Sequence, residues 1–416
     1  MKRLLFVTTR LFWPTDSGRK VSLYHYCRSL HYDYGYEIHL FSFLESSQEF
    51  VPGEKPEFIA SVEVAEPVAP HEVAANLVRH SFGKAPWPLQ CCLFFSGKNA
   101  RRLREKALDL CPEVIVVDMI RTAQYRPCFD GLSSRLILDM DDLLSKRYEN
   151  KLRVNDVENL MGAFGGGRLA HRYLGLLNVA RRAALSIERD RVLRAEEEFS
   201  RQFDDVIFVS QTETDLFNKM TGTKKAKTVT MGVDYAYYSQ EVEPAAGCTD
   251  VAFLGNMKYG PNVDSLRFIV SEVLARIHPA PTLTVVGSVP ESVISEFSIN
   301  QGVRFTGRAE DVRPHITGAK VFLAPITSGS GIKTKILEAM AMGAPVVTNS
   351  VGAEGLMAVR GRDIVVEDNP SDLAVAVKEL LDDPARRMAL SANGREYVRG
   401  HHIWSDVLSA FGDMGL

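Results

Sequence analysis

No run in this 416-residue chain approaches the roughly 18 consecutive apolar residues that a membrane-spanning helix requires. The opening MKRLLFVTTRLFW meets charge and Pro14 too soon to read as a secretory leader, so a cytoplasmic protein is expected. Six cysteines (Cys27, Cys91, Cys92, Cys111, Cys128 and Cys248) have neither paired metal-ligand spacing nor the density of a disulfide framework, and are expected as reduced core thiols. Neither sign of charge prevails: 49 Lys and Arg stand against 52 Asp and Glu, which excludes a general nucleic-acid binder. Internal repeats and low-complexity tracts are lacking, so repeat arrays are excluded as well. Acidic residues are missing between Asn159 and Ile187, where Arg168, Arg172, Arg181 and Arg182 alternate with leucines. Such a stretch fits either peripheral contact with an anionic membrane or a helix pair packed on a sheet, and the second is far commoner.

What the chain does have is alternation. Short apolar runs at 4–8, 38–43, 114–117, 136–138 and 206–209 are separated by helix-length text, and a second series begins at 251 and continues at 283–286, 303–305, 321–324 and 363–366. This is the pattern of doubly wound parallel sheets, and the length allows two domains with a core each. Residues 235–247, with charge, Pro244 and Ala-Ala-Gly, read as the linker between them.

The richest stretch, 320–347, reads KVFLAPITSGSGIKTKILEAMAMGAPVV. A buried strand is expected at its start, then a loop of small residues. A helix follows with Ile332, Ile336 and Met340 on one face, ended by Gly343 and Pro345. A small-residue loop at a helix N-terminus suits an anion such as a phosphate, because backbone N–H groups are unpaired there. Lys333 and Lys335 put positive charge into the first turn, where the helix dipole disfavours it, and a nearby phosphate accounts for that placement. Glu338 offers a carboxylate to a pair of hydroxyls.

This segment resembles the nucleotide-sugar motif of family 4 glycosyltransferases. The resemblance implies the GT-B fold: two Rossmann-like doubly wound α/β domains facing an interdomain cleft. The expected division is 1–238 on the acceptor side, 239–394 on the nucleotide-sugar side, and 395–416 crossing back. It implies that Glu338 binds ribose hydroxyls and that Lys333 and Lys335 lie near a diphosphate. Gly255 and Lys258, after the first strand of the second domain, face the same diphosphate. Arg308, beside Gly307, marks the segment that reads the base, and Gly18 stands for the loop under the transferred sugar. Further resemblances are Ser210 after a strand and the turn Met231-Gly232-Val233-Asp234, which departs from the family by its methionine.

Two departures touch the chemistry. The family commonly carries a glutamate eight positions before the helix glutamate, where this chain has Ser330, so sugar recognition rests on Ser330, Gly331 and Ile332 and on the first domain. Where the family has a strand ending in His-Asp, this chain reads Asp141-Asp142. Asp141 is the catalytic candidate there; a metal cluster or a helix cap are the alternatives. A second spot begins at Asp118, after another strand.

The implied reaction is retaining transfer of a sugar from a nucleotide diphosphate sugar to a glycan, lipid-linked or other acceptor, without a bound metal and without nucleic acid. Same-face attack needs no protein nucleophile; Lys258 and Lys333 would stabilise charge on the leaving phosphate. The competing expectations are a non-catalytic GT-B subunit and, less favoured, a nucleotide-sugar isomerase on the same fold.

Overall fold

The computed structural model describes residues 2–15, 18–45, 48–80, 86–154, 174–247, 249–297, 302–327 and 331–416. Two compact units emerge. Met1–Val229 with Ala410–Leu416 form the first, and Thr230–Ser409 the second.

The first unit is built on seven parallel strands: β1 (Lys2–Thr8), β2 (Tyr36–Ser42), β3 (Ile59–Val64), β4 (Val114–Asp118), β5 (Arg135–Asp141), β6 (Asp205–Phe208) and β7 (Ala226–Thr228). Their order is β3-β2-β1-β4-β5-β6-β7, with Leu4 paired to Ile38 on one side and Val114 on the other. Residues Leu4 to Val7 and Ile115 and Val117 are fully buried, as continuous apolar strands covered on both faces must be. The chain runs outward from β1 through β2 and β3, then returns to place β4 on the other side of β1. That reversal opens a crevice at the carboxyl ends of β1 and β4, where sheets of this kind bind ligands.

The second unit repeats the plan with β8 (Val251–Leu254), β9 (Leu283–Val286), β10 (Val303–Phe305), β11 (Val321–Ala324), β12 (Val346–Thr348) and β13 (Val365–Val366), in the order β10-β9-β8-β11-β12-β13. All five pairings are parallel. Its switch point lies between β8 and β11.

Both unit boundaries differ from the sequence expectation of 238 and 395, and the reasons are local contacts. Residues 235–238 form a helical turn, Tyr235–Tyr238, rather than open linker. Just before it, the Val233 N–H donates to the His402 carbonyl at 2.7 Å, and His402 Nδ1 donates to the Met231 carbonyl at 2.7 Å. The helix Pro384–His401 stays with the second unit because Ser391 and Arg395 hydrogen-bond the Gly343 and Met342 carbonyls at 2.6 and 2.8 Å. Only 410–416 return, where Phe411 packs on Tyr26 and Tyr34.

Other expectations are also revised. Cys111 is exposed at the end of the helix Gly97–Leu110, whereas Cys27, Cys91, Cys92 and Cys128 are buried thiols. The acid-free stretch falls outside the described residues up to 173, and its remainder enters the helix Leu174–Ser200. Of that remainder Leu185 is buried in the first unit's core, and further along the same helix Val192 and Phe199 are buried there too.

Candidate functional site

The 320–347 stretch folds as a strand, a loop, a helix and a strand. β11 runs from Val321 to Ala324, the helix from Thr334 to Ala341, and β12 begins at Val346. The helix starts later than the Ile332–Ile336–Met340 spacing predicts. Gly331 sits at φ 73° and Lys333 is extended at φ −91°, ψ 98°, which makes Lys333 the N-cap residue. Its carbonyl accepts from the Ile336 N–H at 2.9 Å, as an N-cap carbonyl does. A lysine brings no side-chain acceptor to that position, so the first N–H groups of the helix are left for another acceptor. Ile332 is buried without being helical. At the other end Gly343, at φ 78°, donates to the Met340 carbonyl while Ala344 donates to Ala339, each at 2.9 Å. A residue with a Cβ would be strained there.

The lysines separate in role. Lys333 Nζ donates to the Gly331 carbonyl and lies 3.9 Å from Glu354, which keeps it over the small-residue loop. Lys335 turns to the loop after β8: its Nζ donates to Asn262 Oδ1 at 2.7 Å and lies 4.9 Å from the Phe253 ring centroid. Asn262 in turn donates to the Asn256 carbonyl at 2.9 Å, and Asn256 Oδ1 accepts from the Lys258 N–H at 3.0 Å. Lys335 therefore braces the loop that carries the exposed Lys258. Burial, with the like charge of Lys333 adding to it and Glu338 opposing, brings the Lys335 ammonium down to about 8.

Glu338 stands one turn into the helix. Burial lifts its carboxyl to about 6, against the Tyr238 hydroxyl that hydrogen-bonds it and the nearby Lys335 ammonium. It stays mostly ionised at neutral pH, able to accept hydrogen bonds on both oxygens.

The loops after β8, β9 and β10 are stitched together. The Gly255 N–H donates to the Val286 carbonyl at 2.9 Å, Met257 to Ser288 at 2.8 Å, and Gly287 to Gly307 at 3.2 Å. Gly287, at φ 129°, admits no side chain, since a Cβ would lie 2.2 Å from the Gly255 carbonyl oxygen. This close approach brings Gly255, Lys258 and the segment of exposed Arg308 to the carboxyl end of the second sheet. Ser330 lies outside the described residues.

In the first unit the structure gathers Asp118, Asp139 and Asp141 around one guanidinium. Arg19 is the residue after Gly18, which opens the helix Gly18–Tyr32. It reaches Asp139 at 2.8 Å and Asp141 at 3.3 Å, and Asp118 through Nε at 3.1 Å. The Thr9 N–H also donates to Asp118, at 2.9 Å. Asp118 and Asp139 side chains are fully buried, that of Arg19 is 8% exposed and that of Asp141 22%. Burial raises Asp118, but Arg19 and the Thr9 hydrogen bonds outweigh it and hold that carboxyl below its usual range. Burial lifts Asp139 to about 6 and raises Asp141 too. Asp141 has φ 66°, uncommon for a side-chain-bearing residue, while Asp142 pairs with Arg147 rather than capping a helix. Among the described residues no group of three or more His, Cys, Asp or Glu is arranged to hold a metal ion.

Asp141 and Gly18 thus belong to the first unit, and Gly255, Lys258, Arg308, Gly331, Ile332, Lys333, Lys335 and Glu338 to the second. Arg19, Asn262 and Tyr238 were not among the residues singled out from sequence. Arg19 carried a usable signal, a cation in the first turn of a helix after a parallel strand. Asn262 and Tyr238 carried none, because their roles come from residues far along the chain.

Comparison with known proteins adds the following. Residues 248–383 match the family model described as Glycosyl transferases group 1. A GDP-mannose-dependent monoacylated alpha-(1-6)-phosphatidylinositol monomannoside mannosyltransferase of Corynebacterium glutamicum is 34% identical over 153 residues, 34% of this chain and 40% of that protein. The chain spans between two fifths and about half the length of the curated relatives it matches. Among solved structures, sucrose-phosphate synthase from Thermosynechococcus elongatus superposes with a TM-score of 0.65 at 15% identity, over 100% of this chain and 98% of that one. Anabaena Alr3699/HepE in complex with UDP-glucose gives 0.61 at 15% identity, over 100% and 99%. At these identities the structural likeness shows the fold.

Proposed function

We propose that the chain, whose residues 248–383 match the Glycosyl transferases group 1 family model and which has the two-sheet GT-B fold, is a glycosyltransferase using a nucleotide diphosphate sugar. The observation that carries this reading is the carboxylate of Glu338 one turn into a helix whose N-terminus has a glycine loop and Lys333 beside it. A vicinal diol on Glu338 and a diphosphate at the helix N-terminus are two parts of one nucleotide, held at one end of one helix. The relative's GDP-mannose dependence and the UDP-glucose of the solved neighbour favour a hexose donor and do not select between the two bases.

Chemically, cleavage of the sugar–phosphate bond builds negative charge on the diphosphate. Lys333, Lys258 and the helix N–H groups supply preorganised positive charge for it, the kind of contribution that acts on the transition state. Retention of the anomeric configuration, with the leaving phosphate taking the acceptor's proton, needs no protein nucleophile and no metal. The acceptor in this reading is a glycan or a lipid-linked sugar at the cytoplasmic face of a membrane, in surface polysaccharide or glycoconjugate synthesis.

The test is titration calorimetry with GDP and UDP. Glu338→Ala should weaken the better ligand by about 1.5–3 kcal/mol, the worth of charge-assisted hydrogen bonds. Unchanged affinity removes Glu338 from the site. One observation favours a second reading, a GT-B subunit that binds nucleotide without catalysis: Asp141 is engaged with Arg19 where the resembling family has a histidine toward the donor sugar. A transferase slowly releases nucleoside diphosphate from its donor even into water. Tight binding with no release across GDP- and UDP-sugars would decide for the subunit.

A further inference from the structure

Tyr238 ends a helical turn that the chain holds unusually firmly. Asp234 caps the turn, accepting from the Tyr237 N–H at 3.0 Å. The Arg313 guanidinium lies 3.8 Å from the Tyr237 ring centroid and donates to the Tyr237 carbonyl at 2.8 Å and to Gln240 Oε1 at 3.0 Å. Arg313 is itself fixed by Asp311 at 2.8 Å, and Asp311 also accepts from the Tyr237 hydroxyl at 3.3 Å. The turn packs on the helix Thr334–Ala341, with Tyr238 half-buried and its hydroxyl donating to the Glu338 carboxylate. A clamp of this kind does not serve a linker. It fixes the donor that faces Glu338.

We propose that Tyr238 is a positioning residue for the ribose of the nucleotide, holding the Glu338 carboxylate in one orientation and in its ionised form. This rests on the reading that Glu338 takes the ribose. An ionised carboxylate has about four acceptor directions. Tyr238 takes one and fixes the plane of the group, which leaves the others for two adjacent hydroxyls. A protonated carboxyl would have lost one of its acceptor oxygens to a proton and would no longer match a diol. The groups that face Glu338 are Tyr238 from the clamped turn and Lys335 on its own helix, with Lys333 acting on Lys335 and Asp234 on Tyr238. Since burial already lifts Glu338, removing the Tyr238 hydroxyl lets it rise further toward neutrality.

The experiment is Tyr238→Phe in the full chain, titrated with GDP and UDP and with their 2′,3′-dideoxy analogues between pH 5.5 and 8. Affinity for the ribose-bearing nucleotide should fall about 5- to 10-fold at pH 7, the scale of one ordinary net hydrogen bond. The pH below which binding weakens should move upward, and affinity for the dideoxy analogue should stay as in the unaltered protein. An equal loss for the dideoxy analogue would make Tyr238 merely structural and overturn the proposal. Tighter nucleotide binding would mean that the hydroxyl competes with ribose, which also overturns it. If Tyr238→Phe changes neither affinity nor pH profile while Glu338→Ala weakens binding, Tyr238 is excluded and the ribose reading stands. If Glu338→Ala changes nothing, both fall together.

Discussion

Seven parallel strands in the first unit and six in the second reverse at equivalent places, between β1 and β4 and between β8 and β11. What the chain puts at those two places differs. In the first unit three carboxylates surround Arg19, and Asp118 and Asp139 are fully buried. In the second, Glu338, Lys333 and Lys335 are only partly buried, with Lys258 and Arg308 exposed. One guanidinium shared among three carboxylates ties a helix start to two strand ends. Charges at helix ends whose partners are neutral groups, as Lys335 on Asn262 and Glu338 on Tyr238, are the ones a ligand can claim. The match to the family model, 248–383, falls wholly in the second unit. The common fold therefore carries an internal ion cluster at one switch point and, in the function proposed above, a nucleotide site at the other.

The largest effect should come from Arg19. Replacing it by methionine keeps much of the volume but leaves Asp118 and Asp139 buried without their cation. Breaking such a pair by removing one partner costs about 3–5 kcal/mol. Urea unfolding combined with amide exchange should show that loss in β4 and β5 and none in β8 and β11. A cost under about 1 kcal/mol would mean that the cluster is not internally committed, in the range of surface pairs. The contrast between the units would then fail.

The second test lies on the other side of the comparison. Lys333→Ala should lower turnover by about 100-fold, near 2.7 kcal/mol, with less effect on donor affinity, because its charge matters most as the diphosphate leaves. Lys335→Met should act differently. Its ammonium is engaged with Asn262, so its loss loosens the Lys258 loop and weakens donor affinity and turnover together. Steady-state kinetics on both variants would separate these patterns. Collapse in Lys335→Met with ordinary turnover in Lys333→Ala would reverse the assignment.

The strands were legible because a parallel strand buried on both faces is a continuous apolar run: residues 321–324 and 283–286 coincide with β11 and β9. The start of the 334–341 helix was not, because Ile332 continues the apolar spacing but is buried from an extended loop. Burial needs a neighbour, not a helix. Residues 235–238 read as linker from Pro244 and charge, yet Arg313, some 75 residues away, fixes them as a turn. The run of aspartates ending β5 was visible as chemistry. Its partner Arg19 stands 122 positions before Asp141, so local pattern could not say that this carboxylate is spent on an ion pair. The lysines were legible as charge near a helix start, but their different directions depend on Asn262, 73 positions from Lys335.

The smallest predicted effect follows from how each unit answers pH. In the second unit burial brings His402 down to about 4, with Tyr397 and the Met231 carbonyl on its two nitrogens. Its folded value lies below its unfolded one. Its stabilising contribution is therefore present above the unfolded value near 6.5 and is lost as pH falls toward 4. In the first unit Glu196 has the opposite sign. It is fully buried and accepts from the Ser145 N–H at 3.1 Å and from the Ser145 hydroxyl, and burial lifts it to about 8. A raised carboxyl binds its proton more tightly folded than unfolded. Its contribution is complete below the unfolded value near 4.5 and is lost as pH rises through about 8. Between pH 6 and 7.5 the loss should be roughly 2 kcal/mol, at about 1.4 kcal/mol per pH unit for one group. Glu196→Gln keeps the shape and an acceptor for Ser145 but cannot ionise, so the difference between variant and unaltered protein isolates this group from every other titration. Urea unfolding read by amide exchange in β5 and β6 should show the variant gaining stability relative to the parent as pH rises over that window, while β8 and β11 respond alike in both. A difference that stays constant with pH would mean that Glu196 is ionised in the folded protein, and the buried neutral carboxyl assigned to the first unit would fall.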